Sequence, residues 1–205
     1  MAILSKDEAR EILRPYHALI WEVIHDAWSE WRSVQSLRVE AGLSPLIYGR
    51  TIANYVFDAI ARRAILLFAA EPKVSVEVEA QTFKLIFGGL LLARFKKGGE
   101  DKLGCNVPTQ AAMAFMEADG VLPGMPPETA KVEFIWLPNE IGTKIDSVLV
   151  VARDGDLLVW EYEISGPSEG VLPIPFPMHP GGPEAPDDGD LVKPKAQPAA
   201  KPKGQ

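Results

Sequence analysis

Residues 50–97 read RTIANYVFDAIARRAILLFAAEPKVSVEVEAQTFKLIFGGLLLARFKK, and within them the apolar period changes. In the first half, Ile52, Tyr55, Val56, Ala59, Ile60, Ala64, Leu67 and Phe68 recur at spacings of three and four. That places one apolar stripe on a helix from about Arg50 to Ala70, and Pro72 stops it. In the second half, Val74, Val76 and Val78 alternate with Ser75, Glu77 and Glu79, the rhythm of a half-buried strand. Thr82–Phe87, Gly88-Gly89 and Leu90–Lys96 then read as a hairpin whose glycine pair supplies the positive φ of a tight turn.

Upstream, Ser5-Lys6-Asp7-Glu8 is a capping-box pattern, and Pro15 suits the first turn of a new or kinked helix. Tyr16, Leu19, Ile20, Val23, Ile24, Ala27, Trp28 and Trp31 form the stripe of a helix to about Arg32, with His17, Glu22, Asp26 and Glu30 opposite. Gly42, Pro45 and Gly49 punctuate residues 36–48. Downstream, Thr109 can cap a short helix, Gln110–Ala118, that Gly120 closes, and 121–127 is a proline-rich connector. Strands follow at Lys131–Leu137 and Ile145–Arg153, and the turn Asp154-Gly155 leads into Leu157–Ile164.

Helices come first and strands after, so the fold class is α+β: amphipathic N-terminal helices on a mostly antiparallel sheet of five to six strands, with one short inserted helix. Residues 1–165 form the domain, helical over 5–70 and sheet-rich over 73–164. Ten of the eighteen prolines lie in 166–205, which reads as a disordered tail. Within it, VLPIPFP (171–177) is apolar and extended by proline, fit to lie on the domain or to enter a partner groove.

The net charge is -7. The tail holds five acids and four bases, which leaves 17 bases against 23 acids in the body. An acidic body disfavours nucleic acid as partner. One cysteine, Cys105, forbids an intrachain disulfide, and the N-terminus lacks the apolar core of a signal peptide. No apolar run reaches membrane-helix length, so the expectation is a cytoplasmic protein with no membrane contact.

Several constellations offer residues for chemistry. Arg50, Asn54, Asp58 and Arg62 repeat every four residues on the second long helix, either a salt-bridged solvent face or a polar contact surface. Arg94, Lys96 and Lys97 form the densest basic cluster, either a charged strand end that resists edge pairing or a site for phosphate or an acidic partner. Asp146, Glu161 and Glu163 suggest a metal-dependent nuclease, but the lysine such sites place two residues after a strand acid is Glu163 here. His17 and His25 stand eight apart, too far for ligands on one helical turn, and His179 is in the tail. Cys105 has no histidine in a recognisable context, and no phosphate loop, GxSxG or dinucleotide fingerprint is present. No cofactor and no catalytic residue is indicated.

RTIANYVFDAIARRA (50–64), LLLARFKKG (90–98) with NVPTQAAMAF (106–115) and LPGMPP (122–127), and GTKIDSVLVVARDGDLLVWEYEI (142–164) together resemble a family of uncharacterised bacterial and phage proteins. That family is associated with genes for helix-turn-helix repressors and ImmA/IrrE-type metallopeptidases. The resemblance implies a mobile-element or defence setting with a protein partner encoded nearby, and it transfers no catalytic residue. The leading expectation is a non-enzymatic interaction component, as in a toxin–antitoxin or phage-defence pair. The alternatives are a nucleic-acid-processing enzyme and a structural subunit with a tethering tail. The enzymatic alternative requires Arg50, Asp58, Arg94 and Lys96, or the three carboxylates, to converge on one pocket.

Overall fold

The computed structural model of this chain describes residues 4–79, 82–105, 110–117 and 129–166, the side chains of Gln110 and Ala111 excepted. The expectations placed on Thr109, Gly120, 121–127 and 167–205, including VLPIPFP and His179, lie outside those residues.

The capping box at Ser5 forms as read. The Ser5 side chain accepts from the Glu8 amide at 3.3 Å, and the Glu8 carboxylate accepts from the Ser5 amide at 3.0 Å. It starts α1 (Lys6–Leu13). Pro15 sits in the first turn of a 3-10 segment, Arg14–Tyr16, that leads directly into α2 (His17–Glu40). Helix α2 is longer than the apolar stripe predicts, running eight residues past Arg32. The stripe ends where burial ends, at Trp31, but nothing breaks the backbone until Gly42. There the chain turns left-handed at φ 71°, and the Leu43 amide donates to the Arg38 carbonyl at 2.8 Å, closing the helix as a glycine cap does. Helix α3 is Gly49–Phe68.

The strands are β1 (Val74–Val78), β2 (Phe83–Phe87), β3 (Leu91–Lys97), β4 (Ala130–Pro138), β5 (Ile145–Asp154) and β6 (Leu157–Glu163), with α4 (Gln110–Met116) between β3 and β4. They lie in one sheet in the order β1-β2-β3-β4-β5-β6. Every pair is antiparallel except β3–β4. A parallel pair needs a crossover, and the segment carrying α4 supplies it. Gly88 and Gly89 both have positive φ, and the Leu90 amide closes the β2–β3 turn on the Phe87 carbonyl at 3.0 Å. The last hairpin is shifted by one residue from its expected position. Asp154 pairs with Leu157, so the loop is Gly155-Asp156 and not Asp154-Gly155. The left-handed position, which Gly155 fills, is then the first residue of the turn.

One face of the sheet is apolar. Phe83, Leu85 and Phe87 of β2, Ala93 and Phe95 of β3, and Phe134 and Trp136 of β4 are buried in one cluster with α2 and α3. Phe87 is its meeting point, with ring centroids 5.1 Å from Tyr16, 5.9 Å from Phe68 and 6.0 Å from Phe134. The opposite face carries Ile86, Leu92, Ile135, Leu149 and Val151 interspersed with charged residues. It is covered partly by α4 through Phe115 and partly by Leu103. No helix among the described residues is long and apolar enough to cross a membrane.

Phe87→Ala should lower the unfolding free energy by about 3–5 kcal/mol, since the cavity opens where three elements meet. The check is a fall in the urea midpoint with the slope unchanged. A loss below about 1 kcal/mol would remove Phe87 from the centre of the core.

Candidate functional site

The sequence-derived candidates separate onto two surfaces. Arg50, Asn54, Asp58 and Arg62 are all exposed along the outer side of α3. Arg62 Nε donates to the Asp58 carboxylate at 3.2 Å, one turn away. Arg62 Nη2 also reaches Glu30 on α2 at 2.8 Å. Glu30 therefore does not face solvent opposite the α2 stripe, as the helical period suggests. It lies between the two long helices, where Tyr55 donates to it at 2.9 Å and Arg63 at 2.7 Å. Three donors from α3 hold the Glu30 carboxyl down to about 2, against an ordinary value of 4.5. The hydrogen bond from Arg62 is the largest cause, and partial burial works against it.

Arg94 and Lys96 lie on the other side of the sheet. Arg94 is only 6% exposed and lies over the Phe115 ring of α4, its guanidinium carbon 4.3 Å from the centroid. Lys96 is half-buried. Lys97 is on the opposite face of β3, in register with Trp136. The basic cluster is therefore not a charged strand end in water: two of its three members lie on the sheet face that Phe115 and Leu103 partly cover, the recess of the charged side. Desolvation lowers the pKa of both Arg94 and Lys96 from their ordinary values, opposed at Arg94 by Glu79 and Glu133. At Lys96 the Glu133 charge also opposes it, while the Arg94 charge adds to it.

Sequence reasoning missed two neighbours of this recess. Glu133 is fully buried and Arg153 is 8% exposed. Arg153 Nη1 lies 3.5 Å from Glu133, donates to the Gly104 carbonyl at 3.3 Å, and its Nη2 reaches Asp156 at 3.2 Å. The Gly104 amide donates to the Glu133 carboxylate at 3.1 Å. Residue 104 must be glycine here, because a Cβ would stand 2.7 Å from that carboxylate and 2.8 Å from Lys96 Cβ. One signal was present: Glu133 is the single acid in the apolar run Val132–Leu137.

The remaining candidates do not converge. Asp146 is exposed beside Lys144 at 3.5 Å, Glu161 pairs with Lys102, and Glu163 is exposed. Among the described residues no three His, Cys, Asp or Glu side chains are grouped to hold a metal ion. His17 lies 3.1 Å from the Tyr162 hydroxyl, and His25 stacks on Trp21 at 3.7 Å. The α3 column and the Arg94–Lys96 pair have the sheet between them, so the shared pocket that the enzymatic alternative requires is not formed. Comparison with protein-family models, curated proteins and solved structures finds no match for the chain.

Because its folded pKa is depressed, Glu30 contributes stability that is fully present above pH 4.5 and lost as pH falls toward about 2. Glu30→Gln should destabilise the protein by about 1–2 kcal/mol at pH 7, and the gap from wild type should close between those two pH values. Urea unfolding across that range measures it. A gap independent of pH would show that the Glu30 charge is not what ties α2 to α3.

Proposed function

We propose that the protein is a non-catalytic interaction component that engages a protein partner through the tip of the α2–α3 hairpin. The observation that carries this reading is the overhang of α2. No residue from Arg32 to Glu40 is buried, so the last turns of the helix run beyond the core. Five large apolar side chains are exposed between the end of α2 and the start of α3: Leu37 at 62%, Val39 at 59%, Leu43 at 52%, Ile47 at 79% and Tyr48 at 72%. Single exposed apolar residues are ordinary, but a concentration on one protruding segment fits a contact surface.

A groove of about 470 Å³ opens beside it, lined by Arg32, Gln35, Ser36, Val39, Glu40 and Pro45. That volume admits a few side chains of a partner helix or strand. Arg32, Arg38 and Arg50 stand around the tip against Glu40. The partner suited to it presents an apolar ridge bordered by carboxylates. The resemblance noted in the sequence supports placing that partner in a neighbouring gene of a mobile-element, toxin–antitoxin or phage-defence locus. The exposed Asp58–Arg62 pair continues the polar border along α3.

Expressed together with the products of its flanking genes, the chain should purify in a stoichiometric complex with one of them. Leu37→Asp combined with Ile47→Asp should abolish the complex and shift stability by no more than about 0.5 kcal/mol per site, since both positions are exposed. Recovery of the free chain alone would overturn the interaction reading. A complex that survives the double substitution would overturn the hairpin tip as its site.

A further inference from the structure

On the charged sheet face, Arg94 and Lys96 are two cations that form no ion pair among the described residues. Lys84 pairs with Glu79. Arg153 is matched by Glu133 and Asp156. Arg94 and Lys96, two residues apart on one side of β3, have no carboxylate at ion-pair distance among the described residues. Arg94 is 94% enclosed, since 6% of it is exposed, and its Nε is buried without a hydrogen-bond partner.

The contact with Phe115 covers one flat side of the Arg94 guanidinium. Such a contact offsets only part of the cost of burying the charge, and the Glu79 and Glu133 charges act on it from beyond pairing distance. The nearby acids are committed: Glu79 to Lys84, and Glu133 to Arg153 and the Gly104 amide. A methionine would fill the same space against Phe115 with no charge to desolvate. An added anion would supply the direct partner that Arg94 lacks among the described residues.

We propose that Arg94 and Lys96, in the recess beside α4, bind a single oxyanion group, phosphate or carboxylate, carried by a small molecule. The planar guanidinium supplies paired donors that match two oxygens of such a group, and the Lys96 ammonium supplies a point charge for the third contact. Burial decides the class of ligand. With only 6% of Arg94 exposed, a duplex backbone or a flat protein surface is a poor fit to it, and the acidic body repels polyanions. The lowered pKa of both groups is the same desolvation seen from the proton's side, and a bound anion offsets it. This recess and the hairpin tip are distinct sites, so either assignment stands without the other.

Thermal unfolding of the full chain tests it, titrated with inorganic phosphate and separately with acetate against potassium chloride at matched ionic strength. Wild type should show a saturable rise in melting temperature with at least one of the two anions, as expected for a ligand that binds only the folded state. The anion that gives it identifies the oxyanion class. Lys97→Met, on the opposite face of β3, should respond as wild type does. Lys96→Met should weaken the response about tenfold, the loss of one charge-assisted contact, and Arg94→Met should abolish it. If Arg94→Met does not fold, the comparison of Lys96→Met with Lys97→Met decides. Equal responses in those two variants, or no saturable response of wild type to either anion, would overturn the proposal.

Discussion

Burial of one aromatic sheet face beneath α2 and α3 is the constraint on which the rest of the structure depends. Phe83, Phe87, Phe95, Phe134 and Trp136 come from three adjacent strands. They interlock with Tyr16, Trp28 and Phe68 on the helical side through tilted and edge-on ring contacts. Each ring removes a large apolar area from water, and the side-chain period of two then fixes which residues go to the other side. Register is not free to slip, because a shift of one residue would bring Lys84, Arg94 and Glu133 into the aromatic layer.

The charged face is a consequence of that choice. Charged side chains excluded from the aromatic layer meet across β2, β3, β4 and β5, and the crossover between β3 and β4 returns over them. Parallel pairing of β3 with β4 makes that crossover obligatory, and it brings Gly104 and Phe115 against Glu133 and Arg94. Polar groups that would be solvated on an open sheet are therefore enclosed. Glu133 is satisfied by an amide and a guanidinium, while Arg94 is covered without being paired. The same topological feature that completes the fold encloses a cation that no described carboxylate pairs.

The hairpin tip arises from the opposite circumstance. Helix α2 has more backbone than the core can cover, and it continues past Trp31 because Gly42 is the first residue that stops it. Apolar side chains on the overhang then have no sheet beneath them. Glu30, just before the overhang, ties α2 to α3 through Tyr55, Arg62 and Arg63. That tie holds the hairpin together where aromatic packing runs out. The two candidate sites therefore differ in kind: one is an apolar surface that the core leaves uncovered, the other a charged recess that the crossover encloses.

The sequence by itself determined the fold class, the capping box at Ser5, the glycine turn at Gly88-Gly89 and nearly every strand. These are local features: a cap acts over three residues, a turn over two, and the period of a strand is fixed by its own side chains. It also singled out Arg94, Lys96 and the α3 column by residue type and spacing. It could not place them, because which side of a strand is roofed depends on where a crossover returns. Only the tertiary structure decided that Phe115 covers Arg94, that Glu30 is shared between helices, and that Glu133 and Arg153 meet beneath residue 104. Each of those outcomes depends on contacts between residues about twenty or more positions apart, and a periodic pattern carries no information at that range.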